Sequence, residues 1–188
     1  MAEKNAAGYS DSVEALLEAA ENGYIEQVKQ CVGEMKVDPT SCDDEGWQAI
    51  HLAAGAGHLD IVELLVDQYG VDPVAKDYDG QTALHWAALR GEMASVRFLV
   101  ERYGVDPAIT DNESEQPIHL AVPRAHIGII RYLLKTGKVD PNSKTNEGMT
   151  AFDIADKIYD PNNREMVRDI LSGKEAVNNI HPEDSFGN

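Results

Sequence analysis

Three histidines, His51, His85 and His119, follow one another at intervals of 34 residues in a chain of 188. Imidazole is a common metal ligand and general base, so a metal centre or proton relay is the first chemistry to consider. The run Asp43-Asp44-Glu45 offers clustered carboxylates of the kind used in acid–base catalysis, and Cys31, Cys42 and Ser114 are candidate nucleophiles. The surroundings argue against each. In an exposed turn nothing raises one carboxyl's pKa above its neighbour's, so the acids read as a solvated face. Ser114 has no evident base, and two cysteines without Cys-x-x-Cys spacing read as reduced structural thiols. Gly-x-x-x-x-Gly-Lys, Gly-x-Ser-x-Gly and His-Glu-x-x-His are all absent, leaving no catalytic constellation.

The histidine interval belongs to a larger pattern. Asp-Pro recurs at Asp38-Pro39, Asp72-Pro73, Asp106-Pro107 and Asp140-Pro141, and the same spacing links Gly46 to Gly80 and Ala19-Ala20 to Ala53-Ala54 and Ala87-Ala88. A fixed period of this size makes the chain a stack of repeated supersecondary units. Each unit predicts two short helices, about Thr82–Leu89 and Ala94–Arg102 in the clearest copy. Gly91 separates them, Thr82 is the N-cap, and Gly104 takes the left-handed conformation that ends the second. Apolar residues at helical spacing, Ile61, Val62, Leu65 and Val66, then Val96, Leu99 and Val100, mark the core stripes. Pro73 and Asp79-Gly80 predict an extended, hairpin-like loop between units.

The run Asp79-Gly80-Gln81-Thr82-Ala83-Leu84-His85-Trp86-Ala87-Ala88-Leu89-Arg90-Gly91 closely resembles the signature of the ankyrin repeat, and Glu45 to His58 repeats it. Weaker copies begin near Glu113 and Glu147. The resemblance implies an all-α ankyrin-repeat solenoid of helix-helix-loop units with short β-hairpin-like loops, spanning residues 11–172 as one domain. Its repeats fall at about 11–42, 43–76, 77–110, 111–144 and 145–172, between a flexible N-terminus, 1–10, and a polar C-terminal tail, 173–188. The family unit has 33 residues, so each unit here carries one extra, placed beside Tyr69 and Tyr103 at the end of the second helix. Asp11-Ser12-Val13-Glu14 reads as a capping box opening the first helix. Internal units carry Leu64, Phe98 and Tyr132 where the first has Gln30 and the last, after an insertion near residues 159–163, has Asp169. Polar residues there suit end units, whose outer faces meet water.

The resemblance also disposes of the metal, because stacked units repeat a position about 10 Å apart, beyond one coordination sphere. It implies instead that each histidine hydrogen-bonds within and between loops, with Asp153 in that place in the last unit. Neither cofactor nor metal is expected. Asn142 occupies the loop position at which ankyrin proteins can be substrates of asparaginyl hydroxylases, although Pro141 before it departs from that pattern.

The family binds partners along its concave side, through loop tips and exposed first-helix positions. Carried onto this chain, those positions include Asp44, Glu45, Trp47, Tyr78, Asp79, Gln81, Leu89, Arg90, Asn112, Glu113, Glu115, Arg124 and Met149. Gly55, Ala56, Pro123, Asn146 and Glu147 accompany them. Aromatic anchors and arginine dominate binding energy at interfaces, which singles out Trp47, Tyr78, Arg90 and Arg124. Isolated exposed apolar side chains are also ordinary, and Tyr78 has the alternative of packing on a neighbouring loop.

Sixteen basic residues against thirty-three acidic ones give a net charge of −17, which disfavours nucleic acid and anionic membranes. The excess of carboxylates on the binding positions suits a basic or mixed-charge protein segment, or serves solubility alone. No apolar stretch approaches the length of a membrane span, and Met1 to Ser10 lacks the features of a signal peptide, so a cytoplasmic or nuclear setting is expected. These readings lead to a non-enzymatic interaction module, an adaptor or assembly chaperone that is monomeric when free. A permanent subunit of a larger complex is the alternative, and an enzyme with an unrecognised site a distant third.

Overall fold

A computed structural model describes residues 11–174. The expected loose ends at 1–10 and 175–188 lie outside that range.

Ten helices form five pairs among the described residues. The first pair is α1 (Asp11–Glu21) and α2 (Ile25–Gly33). The second is α3 (Ala49–Gly55) and α4 (Leu59–Glu63), which runs on into a π-helical turn at Leu64–Gln68. Then come α5 (Ala83–Arg90) with α6 (Met93–Tyr103), and α7 (Pro117–Ala121), extended by a 3₁₀ turn at Val122–Arg124, with α8 (Ile127–Lys135). The fifth pair is α9 (Ala151–Ala155) and α10 (Pro161–Leu171). The helices expected in the third unit are present, with Thr82 extended as the N-cap and Gly91 and Gly104 left-handed at φ 86° and 68°. The extra residue beside Tyr69 meets a wide π turn, where α4 does not simply lengthen; α6 stays α-helical to Tyr103.

The core repeats with the sequence. Leu16, Ile50, Leu84 and Ile118 are each fully buried on the first helices, and Val28, Val62, Val96 and Ile130 on the second. Burying one such side chain contributes about 1.5–3 kcal/mol, and each does so against the neighbouring units as well as its own. From α1 through α3 and α5 to α7 the first helices follow one another in close contact while α2, α4, α6 and α8 touch more sparsely, so the stack curves with the first helices on its inner side. Gln30 and Asp169 are exposed and Leu64 is buried, as end and internal positions require.

The Asp-Pro pairs build the turns that carry the chain from one unit to the next. In each of the four, the aspartate carboxylate accepts the N–H two residues on, at 2.9 Å for Thr40, Val74 and Asn142 and 3.1 Å for Ala108. The backbone of Asp38, Asp72, Asp106 and Asp140 closes the turn by accepting the N–H three residues on. Proline presets φ at the second turn position, and aspartate supplies the side-chain acceptor.

Candidate functional site

The loops between units take a common form. The N–H of residues 43, 77, 111 and 145 donates to the carbonyl of residues 47, 81, 115 and 149, closing four hairpin-like tips; one isolated β-bridge, Cys42 to Gln48, is formed among the described residues. Inside three tips an aspartate accepts two backbone N–H groups: Asp43 from Glu45 and Trp47, Asp77 from Asp79 and Gln81, Asp111 from Glu113 and Glu115. Thr145 stands in the fourth. These aspartates recur every 34 residues, a signal present in the sequence and distinct from the exposed binding positions.

Adjacent tips are tied into a ladder. Tyr78 N–H donates to Glu45 O at 3.2 Å, Asn112 N–H to Asp79 O at 3.0 Å and Asn146 N–H to Glu113 O at 2.8 Å. The Asn112 and Asn146 side-chain amides reinforce it by donating to the carbonyls of Tyr78 and Asn112. Asn112, expected on the binding surface, therefore has its amide committed to the neighbouring loop, although the residue is exposed.

Beneath the tips lie the three histidines. His51, His85 and His119 accept the N-cap N–H of Gln48, Thr82 and Gln116 through Nδ1 at 2.9–3.1 Å. The Nε2 of each faces a carbonyl in the following loop: Ala75, Glu115 and Ser143 respectively. With Nδ1 accepting, Nε2 must carry the proton and donate. Burial pushes all three pKa values down, which also keeps the rings neutral. Asp153 takes over in the last unit, accepting from the Thr150 N–H and hydroxyl. Both nitrogens of each ring are thus spent on the backbone. We expect nitrogen-detected NMR to show three imidazoles in the Nε2–H form that remain neutral as the pH falls through 6.5, the ordinary histidine value.

Two hollows of about 330 Å³ open on the inner side of the stack. The first lies between units one and two, where Glu14, Glu18 and Glu21 of α1 face Asp43 and Trp47, with Leu17 and Leu52 behind. Four carboxylates line it, and Arg90 reaches one of them, Glu21, from the side at 3.6 Å. The second lies between units four and five, with Leu89, Leu120, Pro123, Met149, Ile154 and Ile158 forming an apolar lining. Glu115, Glu147, Arg124 and Lys157 supply its charge. Burial, then Asp111, Glu147 and Glu113, raise the Glu115 pKa.

Between the hollows the face is filled. Trp86 is 5% exposed, donates Nε1–H to Asp77 at 3.0 Å and meets Trp47 edge-to-face, with ring centroids 4.6 Å apart. Arg90 lies over Trp86 at 5.6 Å and reaches Glu21 at 3.6 Å. Trp47, expected as a binding anchor, has a half-buried ring that packs on Trp86 and the core, because α5 of the next unit presents another large aromatic to it. Arg90 likewise serves the stack, bridging units one and three.

The remaining expected positions are distributed along the same side. Tyr78 is 67% exposed, its ring against Gly46 of the preceding tip and its hydroxyl 3.8 Å from Cys42 Sγ. Asp44, Glu45, Asp79 and Glu113 are exposed at tips, Gln81 is half-buried, and Leu89, Glu115, Arg124 and Met149 line the second hollow. The acids of α1 and Lys157 fall outside the expected residues, because the polar first unit resembles a cap. Glu18 stands one period before Leu52, the register signal that marks it.

This is a curved solenoid whose inner face carries hollows and whose histidines are structural. Comparison with known families places a run described as ankyrin repeats (3 copies) over residues 16–111 and ankyrin repeats (many copies) over 99–155. The chain belongs to the ankyrin-repeat family. It is accordingly a protein–protein interaction module of a family that is generally non-enzymatic. No curated protein matches the chain significantly. Among the described residues no helix is long and apolar enough to cross a membrane, and no three His, Cys, Asp or Glu side chains are grouped to hold a metal.

Proposed function

We propose that this protein is a non-enzymatic adaptor or assembly chaperone that captures a basic or mixed-charge segment of a partner protein along its inner face, in the cytoplasm or nucleus. The supporting observation is the pairing of open hollows with a surplus of carboxylates on that face: Glu14, Glu18, Glu21, Asp43, Glu115 and Glu147 against Arg90, Arg124 and Lys157. Such a surface accelerates encounter with a cationic chain and holds it through charge-paired contacts, with Asp43 and Glu115 the half-buried acids among them. Trp47 and Tyr78 add aromatic area, with Tyr78 the more accessible of the two.

Affinity purification with mass spectrometry identifies the partner, whose binding is then titrated calorimetrically at rising salt. Affinity is expected to fall as salt rises. Tyr78→Ala combined with Trp47→Ala should weaken it by about 2 kcal/mol, and Tyr78→Ala alone should do so without lowering the melting temperature. Salt-independent binding untouched by both substitutions would sink the reading.

A further inference from the structure

The two hollows are the same site built twice, three periods apart. Glu18 and Leu120 occupy one register position, as do Glu21 and Pro123, and Asp43 and Thr145; each pair differs by three times 34 residues. Trp47 and Met149 form the wall of each, and Leu52 and Ile154 its base, at the same separation. What changes is chemistry. Three acids in the first hollow become leucine, proline and threonine in the second, while the aromatic wall becomes a thioether. The corresponding space between units two and three is closed by Trp86 and Arg90.

We propose that these hollows read one extended partner segment at two points, taking a lysine or arginine side chain between units one and two and a bulky apolar side chain between units four and five. This rests on the inner face being the binding face. In the first hollow a cationic side chain lays its aliphatic stem along Trp47, Leu17 and Leu52 while its head meets the α1 carboxylates. In the second, an aliphatic or aromatic side chain displaces water from Leu89, Leu120, Pro123 and Ile154. Neighbouring helices pack about 8–10 Å apart, so three steps cover about 24–30 Å, which an extended chain spans in about seven to nine residues. The motif is therefore a basic residue and a large apolar residue about eight positions apart, with one chain direction preferred.

The test is fluorescence anisotropy with the full chain and labelled synthetic peptides carrying an Arg-Arg pair and a Leu-Phe pair, in both orders, separated by about two, eight or fourteen spacer residues. The spacing near eight, in one order, should bind about tenfold more tightly than the others. Glu18→Leu installs the residue that units two and four already carry at that register, so folding is retained; it should weaken the contribution of the arginine pair and flatten its salt dependence. Met149→Gln, the residue of unit three, should abolish that of the Leu-Phe pair. Equal affinity at every spacing, no binding by any peptide, or indifference to both substitutions overturns the two-point inference. The inner face as such is judged separately by the natural partner: if that binding still needs Tyr78 and low salt, only the spacing is wrong, and if not, both readings fail together.

Discussion

Gly80→Ala should lower the unfolding free energy by about 3 kcal/mol, against about 1 kcal/mol for the same change at Gly148. Both glycines hold the same place in their loops and both are left-handed, with φ of 78° and 77°. A side chain in that conformation costs of order 1 kcal/mol at either position. The difference is the neighbour. A Cβ on Gly80 would lie 2.8 Å from the backbone nitrogen of Asn112, which donates to Asp79 in the tip-to-tip ladder, whereas at Gly148 it meets nothing within 4 Å. Backbone held by a hydrogen bond cannot swing aside as a side chain does, so the ladder between units three and four must open. Urea unfolding of the two variants checks this. Equal losses would mean that the ladder contributes nothing.

His85→Ala should cost a comparable amount, about 3 kcal/mol, while His58→Ala should cost under about 1 kcal/mol. The fully buried His85 satisfies the Thr82 N–H within its own unit and the Glu115 carbonyl in the next loop; alanine leaves both without that partner and a void in their midst. His58 makes a single bond, to Glu21 O at 3.1 Å, in a partly exposed setting. The variant should also change the pH dependence. Burial depresses the folded pKa of His85 below its unfolded value, with the opposing pull of Asp111 and Asp77 weaker than burial. The unfolded state then binds more protons than the native one once the pH drops below about 6.5. Stability from the neutral ring is therefore complete above that value and is lost as the pH falls toward the depressed folded pKa. His51 and His119, depressed in the same direction, contribute alike. Denaturation midpoints measured at pH 7.5 and 5 should fall less steeply for His85→Ala than for the unaltered chain, because one of three such groups is gone.

Much of this architecture is legible in the sequence because a repeat states its rules several times. Asp-Pro marks four turns, and the glycines at 80, 91 and 104 all adopt the positive φ that makes glycine the residue of choice. Yet a fifth Asp-Pro, Asp160-Pro161, opens α10 instead of a turn. Its carboxylate accepts the Asn162 N–H as the others accept theirs, but its carbonyl accepts Arg164 N–H, one residue further along than in the turns. The same dipeptide serves as N-cap and first helical residue when an apolar helical stripe, Val167, Ile170 and Leu171, follows it.

The candidate site was legible only in part. Met149, Arg124, Glu115 and Leu89 were found by register and do meet around one hollow. Trp47 was found by type, but its packing on Trp86 depends on a contact between residues 39 apart, which neither helical nor repeat spacing reveals. Arg90 was expected to face a partner, and the structure sets it between Trp86 and Glu21, two units away.

The sequence by itself determined the period, the order of helices and turns and the buried stripe, and its resemblance to the ankyrin repeat implied the structural duty of the histidines. Each of these depends on interactions within a unit or with an identical neighbour, and repetition makes such interactions visible. The tertiary structure alone decided which departures from the repeat stand together. Curvature brings the acids of α1 to the first loop and Lys157 to Met149, and the bulk of Trp86 closes the space between hollows at either end. Those juxtapositions arise from the volumes and charges of non-repeated residues, and so the places where this chain differs from one unit to the next shape the hollows of its inner face.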